Sequence, residues 1–357
     1  MAQETSMKTI EASLFDALKL TKLIESRESS NYHRCGRTDK GVSAFCQVIS
    51  IDLRSACSTG IGVFEPADYE PSACTSKCCE KELNYVAILN RVLPAEIRVL
   101  AWAPVPTDFS ARFDCQKRCY HYFFPAANLN LNAMQEACDL LVGVHDFRNF
   151  CKMDVLNGVT SFVRDIRKAE LKPLQEASSD SASPYDAFEL VIEAKAFLWH
   201  QIRCIVAILF LVGQGLEPPQ IVSDLLNVEK IPQKPQYSMA ADFPLTLYDC
   251  QFEQLSWECA PDDRCQLVAH FQKLWTSFAV KSWMVKSLLN RLTDSVSEVD
   301  APLPSNQLDP LIMGNKIKSY KRLLEREKGD SLEEKIAKAK LRKTRLNSKL
   351  DVNDTVE

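Results

Sequence analysis

Apolar positions recur at helical spacing in several stretches of the chain. Ile10, Leu14, Ala17 and Leu18 mark a helix over 9–20, and Leu83, Val86, Ala87 and Leu89 mark a short one that ends before Pro94. Leu131, Met134, Ala137, Cys138 and Leu141 mark a third, stopped at Gly143. A long apolar run opens at Ile202, carries Arg203 inside it and closes at Gly213 and Gly215. Residues 219–228 read as a short helix, and 266–292 as an amphipathic one with Trp275 and Trp283, expected to pack on the body. Between these, runs rich in β-branched and aromatic residues predict strands at 45–53, 97–102, 118–124, 161–166, 186–194 and 244–250. Residues 1–5, 55–81 and 176–184 are polar and aperiodic, and read as loose chain and surface loops.

Composition narrows the class without naming it. The 357 residues are 46% hydrophobic and 25% charged, with a net charge of −4. That is an ordinary globular balance, long enough for two domains or one large one with a tail. Nothing global advertises a nucleic-acid partner, although clustered Arg and Lys on one face would still suffice. Fourteen cysteines without evenly spaced pairs favour a reducing compartment. Cys74, Cys78 and Cys79 lack the paired spacing that zinc requires, so no metal is expected. The run at 202–212 is too short and too interrupted to cross a bilayer. Residues 316–349 are rich in Lys and Arg, a pattern that fits either a solvated helix face or a contact with RNA or an import receptor.

Chemistry concentrates at 34–44. Arg37, Thr38 and Asp39 sit in a loop bracketed by Gly36 and Gly41 and followed by a strand. A carboxylate fixed there beside a cation is favoured in its ionised form, as a nucleophile or general base requires. The plainer reading is an Asp–Arg pair that ties down a turn. Tyr120 lies in an aromatic strand where core packing accounts for its neighbours, and position alone does not separate it from them. Arg203, inside an apolar helix, needs an acidic partner, and any nearby acid would serve. His145 reads as a local hydrogen-bond anchor, and Arg148 and Lys152 as phosphate contacts.

The run Gly36-Arg37-Thr38-Asp39-Lys40-Gly41-Val42 resembles the active-site signature of the TruA family of pseudouridine synthases. Its extension back to Tyr32 and on to Ala44 is similar to the eukaryotic branch that acts on the tRNA anticodon arm. Further segments follow in family order: Phe109-Ser110-Ala111-Arg112, the strand 118–124, His145-Asp146-Phe147, Phe197 to Arg203, and the strand at 244–250. The resemblance spans roughly residues 8–253. It implies Asp39 as the catalytic aspartate and Tyr120 as the active-site tyrosine. Arg203 becomes the partner that holds Asp39, with Arg37 filling the space left by a flipped uridine and Leu245 the apolar wall of the pocket. Thr38 and Arg148 join the substrate contacts. His121 stands where an arginine is usual, which puts a titratable group at an RNA-facing position. Pro244 stands where the wider family has glycine.

The implied fold is α+β, two related halves with antiparallel sheets flanked by helices around a central basic cleft, and the strands and helices read above are compatible with it. It divides the chain into 1–107 (catalytic-loop half), 108–255 (C-terminal half) and 256–357 (helical, charged extension). The family has a strand before the helix at 9–20, and the chain begins almost at that helix, so that strand is expected to be missing. The implied activity is isomerisation of uridine at positions 38 and 39 of tRNA. It needs no cofactor and no metal, and is carried out by a homodimer without membrane attachment, in the nucleus or cytoplasm. Two other classes are weighed beside it: a catalytically inactive RNA-binding protein or tRNA chaperone, and a carboxylate hydrolase with a coincidental motif. The hydrolase would need a second acid near Asp39, and none stands out in the sequence.

Overall fold

The computed structural model describes residues 9–65, 81–175, 183–297, 306–313 and 319–353. Residues 1–5, Cys74, Cys78, Cys79, Lys316 and most of the two loops expected at 55–81 and 176–184 lie outside them. In chain order the elements are α1 (Ile10–Leu20), β1 (His33–Arg34), β2 (Ser43–Ala44), β3 (Ile49–Ser50) and α2 (Tyr85–Asn90). Then come β4 (Lys117–Pro125), α3 (Leu131–Asp139), β5 (Gly143–Asp146), β6 (Val163–Pro173) and β7 (Ala187–Ala194). α4 (Gln201–Gly213), α5 (Ile221–Leu226), β8 (Leu245–Gln251), α6 (Pro261–Ser297) and α7 (Leu332–Asn353) complete the chain. The fold class is α+β, as expected.

The chain forms two compact units, each assembled from separate stretches. One holds Met1–Gly36, Val48–Cys115 and Phe252–Pro304; the other holds Arg37–Gln47, Gln116–Gln251 and Ser305–Glu357. They differ from the division drawn at 107 and 255 in two ways. The Asp39 loop belongs with the later strands, and the C-terminal stretch is shared between the units. The cause of the first is a ladder: β2 hydrogen-bonds in parallel to β8, pairing Ser43 with Thr246 and Ala44 with Leu247.

In the first unit, α1 starts where the Thr9 hydroxyl accepts the Ala12 N–H, and it buries Phe15, Ala17 and Leu18. These pack with Leu23, Tyr85, Leu89 and Leu93 as one apolar cluster. The expected strand at 45–53 is reduced to the two residues of β3, because the chain pairs with β8 earlier, at β2, and then turns to pair β3 with β1. At 97–102 pairing is reduced to one bridge, in which Trp102 exchanges backbone hydrogen bonds with Glu258 at 3.0 and 2.7 Å. The Asn90 side chain takes both backbone groups of Val99, donating to its carbonyl at 2.9 Å and accepting its N–H at 2.8 Å, so a ladder partner is not needed there. α6 also departs from expectation. Of residues 261–296 only Asp263 and Leu267 are buried, and Trp275 and Trp283 stay 64% and 60% exposed rather than packing on the body.

The second unit is built on a six-stranded sheet in the order β2-β8-β4-β7-β6-β5, antiparallel except for β2 against β8. Alternation along β4 turns Tyr122 and Phe124 to one face, where both rings meet Phe210 of α4 edge-on. α4 has 11 of its 13 residues buried, so it is the core helix of this unit. β5, which no sequence pattern announced, opens at Gly143 with φ +112. α7 begins at a reciprocal cap: the Ser331 hydroxyl accepts from Glu334 N–H and the Glu334 carboxylate accepts from Ser331 N–H. In the basic run, Lys338 is tied to Asp330 at 2.6 Å and Lys335 is partly buried, which lowers its pKa. Lys343 and Arg345 lie outside the residues whose side chains are described.

Candidate active site

The Asp39 loop is fixed by its backbone before any side chain acts. Val42 N–H donates to the Asp39 carbonyl at 3.1 Å, closing a tight turn in which Gly41 takes φ +85. A side chain at that position would be strained, and its Cβ would lie 2.6 Å from the Asp242 carboxyl carbon. Past the turn, β2 and then Phe45, whose N–H donates to the Leu247 carbonyl at 2.8 Å, lock the loop to β8. β8 in turn pairs with β4, where Tyr120 stands opposite Leu247 beside a bulge between Cys119 and Tyr120. The strand that follows the Asp39 loop and the strand that carries Tyr120 therefore flank β8 on its two sides, and a bulge there re-aims side chains. Tyr120 is buried with its ring edge-on to Phe197 at 5.2 Å, and Leu245 is buried at the start of β8.

Asp39 is held by two residues that sequence reasoning passed over. Trp199 Nε1 donates to Oδ1 at 3.0 Å, and His200 Nε2 lies 3.3 Å from Oδ2; the carboxylate keeps a third of its surface open. His200 occupies the left-handed region at φ +61 immediately before α4. For a side chain other than glycine this costs about 1–2 kcal/mol, a strain that accompanies the imidazole's placement on Asp39. Burial lowers the His200 pKa; Asp39 opposes the shift, while Arg203, Lys152 and Lys234 reinforce it. The ring is thus mainly neutral near pH 7. The Lys152 ammonium lies 4.1 Å from the centre of the Trp199 ring, a cation–π contact that leaves Lys152 one residue away from the carboxylate.

Arg203 is turned elsewhere. Its Nε donates to the Ala240 carbonyl at 2.8 Å, and its terminal nitrogen lies 3.9 Å from Asp242 and 3.1 Å from Met313 Sδ. The expected Arg203–Asp39 pair is therefore replaced by Arg203–Asp242, because Trp199 and His200, one turn earlier in the chain, take both carboxylate oxygens. Asp242 touches both ends of the arrangement: its carboxylate abuts Gly41 and faces Arg203. Arg37 is exposed, with no ion pair among the described residues, and Thr38 is partly buried. Arg148 already gives Asp146 two side-chain hydrogen bonds, which raise its pKa, so a phosphate there would compete with a carboxylate. His145 donates locally to the Val142 carbonyl, the anchoring role read from its loop. His121 is buried, paired with Glu189 at 2.8 Å and stacked on Tyr248 at 3.7 Å. Among the described residues, no set of three metal-ligating side chains includes Asp39 or His200.

Along its whole length the chain is 44% identical to the tRNA pseudouridine(38/39) synthase of Homo sapiens, over 383 residues that cover 79% of that protein. The chain belongs to the tRNA pseudouridine synthase family. A mouse tRNA pseudouridine(38/39) synthase is 47% identical over 94% of this chain and 72% of its own length. A tRNA pseudouridine synthase A from Methanosarcina mazei is 30% identical over 71% and 80%. The family profile described as tRNA pseudouridine synthase matches residues 137–253, which hold Arg203 and Leu245. Asp39 and Tyr120 precede that span, and the whole-length relatives cover them. For a tRNA pseudouridine synthase the residues missed from sequence were Trp199, His200, Asp242 and Met313. The first two lie inside the segment 197–203, where Arg203 drew attention and its neighbours three and four positions earlier did not.

Proposed function

We propose that this protein converts uridine to pseudouridine at positions 38 and 39 of the tRNA anticodon arm. The observation that carries the reading is Asp39, half-buried on a loop held in register by β8, in a chain aligned along its whole length with a relative of that name. The reaction breaks the bond from N1 to the ribose, turns the uracil, and joins C5 to the same ribose carbon. C5 loses its proton and N1 gains one, so the product is an isomer.

Asp39 serves as nucleophile or base, and attack on the ribose, attack on the ring and a glycal route all remain compatible with one open carboxylate. In the resting site Trp199 and His200 occupy its two oxygens. An incoming uridine displaces the indole, and Arg203 exchanges Asp242 for the freed carboxylate and stabilises it. Tyr120 stacks on the base or takes the C5 proton. Arg37, exposed and without an ion pair among the described residues, moves into the space left by the flipped nucleotide, since chemistry on a paired base requires extrusion. Leu245 supplies an apolar wall, Thr38 positions the loop against the substrate, and Arg148 reaches phosphate by exchanging Asp146. The enzyme works as a homodimer with one tRNA touching both subunits, in the nucleus or cytoplasm.

The test is pseudouridine mapping on unmodified tRNA incubated with the chain and with Asp39→Asn. New signal at 38 or 39, reduced at least ~1,000-fold in the variant, supports the reading. A folded protein that binds tRNA and leaves no signal would reduce the role to RNA binding.

A further inference from the structure

A tyrosine buried in a protein normally finds a partner for its hydroxyl. Here Tyr85 donates to the Arg54 carbonyl at 3.1 Å, Tyr237 to the Asn149 carbonyl at 2.7 Å and Tyr320 to the Glu217 carboxylate at 2.6 Å. Tyr122 breaks the rule. It is fully buried, and its hydroxyl has no hydrogen-bond partner among the described residues. Its ring packs edge-on to Phe210, a role that phenylalanine would fill without burying an unpaired donor. The oxygen therefore needs another reason to be there.

Its position supplies one. Tyr122 lies on the face of β4 that meets α4, and in the ladder it stands opposite Leu245 of β8. The Leu245 N–H donates to the Asp242 carbonyl at 3.0 Å, a turn that folds the start of β8 back beside that acid. Arg203 reaches Asp242 from α4. Burial keeps the Tyr122 pKa well above its ordinary value, with Arg203 pulling it down and Asp242 pushing it up. The hydroxyl thus stays a proton donor in the field of both charges. Arg203 itself is loosely held: its terminal nitrogen lies 3.9 Å from Asp242 Oδ2, beyond hydrogen-bond reach, and 3.1 Å from the Met313 thioether, a weak acceptor.

We propose that Tyr122 is a positioning residue whose hydroxyl is idle at rest and donates to Asp242 once Arg203 has moved to Asp39. The role rests on the isomerase reading above, in which that exchange takes place. When the guanidinium leaves, Asp242 Oδ2 loses the cation that faced it, on the side where Arg203 is buried. The Tyr122 O–H takes over that side and keeps the carboxylate charged and in place, and no proton changes hands. Asp39 depends on this because the Asp242 carboxylate abuts Gly41, in the turn that carries Asp39. An unpaired hydroxyl raises the energy of the resting arrangement, and its use lowers that of the working one. Tyr122 therefore favours the exchange from both sides.

The experiment is Tyr122→Phe in the full chain, which removes one oxygen and leaves the ring. Expected is a fall in kcat of about 10–100-fold, the range of a hydrogen bond to a charged group. The KM for tRNA should change by less than about twofold, and the urea midpoint should stay level or rise. Tyr85→Phe, which deletes a hydroxyl with a partner in the other unit, should behave in the opposite way, with a lower midpoint and unchanged kcat. In an Asp242→Asn background, Tyr122→Phe should cost at most about threefold, since the two groups act as a pair. A Tyr122→Phe variant with wild-type kcat overturns the role. So does one whose midpoint falls together with kcat, because the hydroxyl would then be paired at rest. A wild type that forms no pseudouridine removes the isomerase reading and this role with it, whereas an active wild type with an equally active variant removes this role alone.

Discussion

Helices α4 and α6 are opposites in one chain. α4 is short, buried on nearly every side, and yet carries a guanidinium at Arg203; α6 is nearly three times as long, open to solvent, and yet carries an almost continuous row of large apolar side chains. In α4 the misplaced group is satisfied inside the same unit, by the Ala240 carbonyl, Asp242 and Met313. In α6 the large apolar side chains stay open to solvent among the described residues. A buried charge must find its partner during folding, whereas exposed apolar surface can wait for another molecule, because its cost is spread over many side chains.

The contrast breaks if the helices respond alike to truncation. Ile205→Ala, at a fully buried site of α4, should cost about 2–5 kcal/mol in urea unfolding. A loss under ~1 kcal/mol would mean that α4 is not the core helix. Arg203→Met should cost about 2–3 kcal/mol, toward the low end for a buried pair because Asp242 is still a third exposed. Gly41→Ala should cost about 1–2 kcal/mol through its left-handed φ and the Asp242 contact, with a larger loss of pseudouridine formation than of tRNA binding. Unimpaired turnover in that variant would show the loop tolerates displacement. Leu288→Ala, in α6, should change the stability of dilute protein by less than ~0.5 kcal/mol.

The smallest effect sharpens the comparison at the N-terminal end of α4. The folded state binds the His200 proton less tightly than the unfolded chain, whose value is 6.5. Stability from this group is therefore present above pH 6.5 and lost as pH falls through the lower folded value. A His200→Gln variant should show a flatter acid limb of stability against pH, and an unchanged limb would remove His200 as its source.

What could be read from sequence divides along physical lines. The Asp39 loop was legible because its glycines and charged residues are contiguous, and α1, α3 and α4 because their apolar spacing is local. The strand at 97–102 was not, since a single side chain, Asn90, satisfies the backbone that a ladder would have used. From the residues alone the Arg203 partner was legible only as an unspecified acid, and the resemblance pointed to Asp39; Asp242 lies 39 positions downstream, and nothing local marks it. The burial of α6 was misread because amphipathic spacing shows that a helix has an apolar side, and not which surface covers it.

Two residues of β2 bind to a strand some two hundred positions later, and that long reach sets an order of events. Until Leu247 has left the ribosome, the turn that carries Asp39 has no ladder to rest on, whatever the N-terminal cluster around Phe15 and Tyr85 has already achieved. Pairings of such sequence separation close slowly. The nascent protein therefore carries its first-made functional segment unplaced across some two hundred residues of synthesis, and acquires a reactive carboxylate in position only once β8 has emerged.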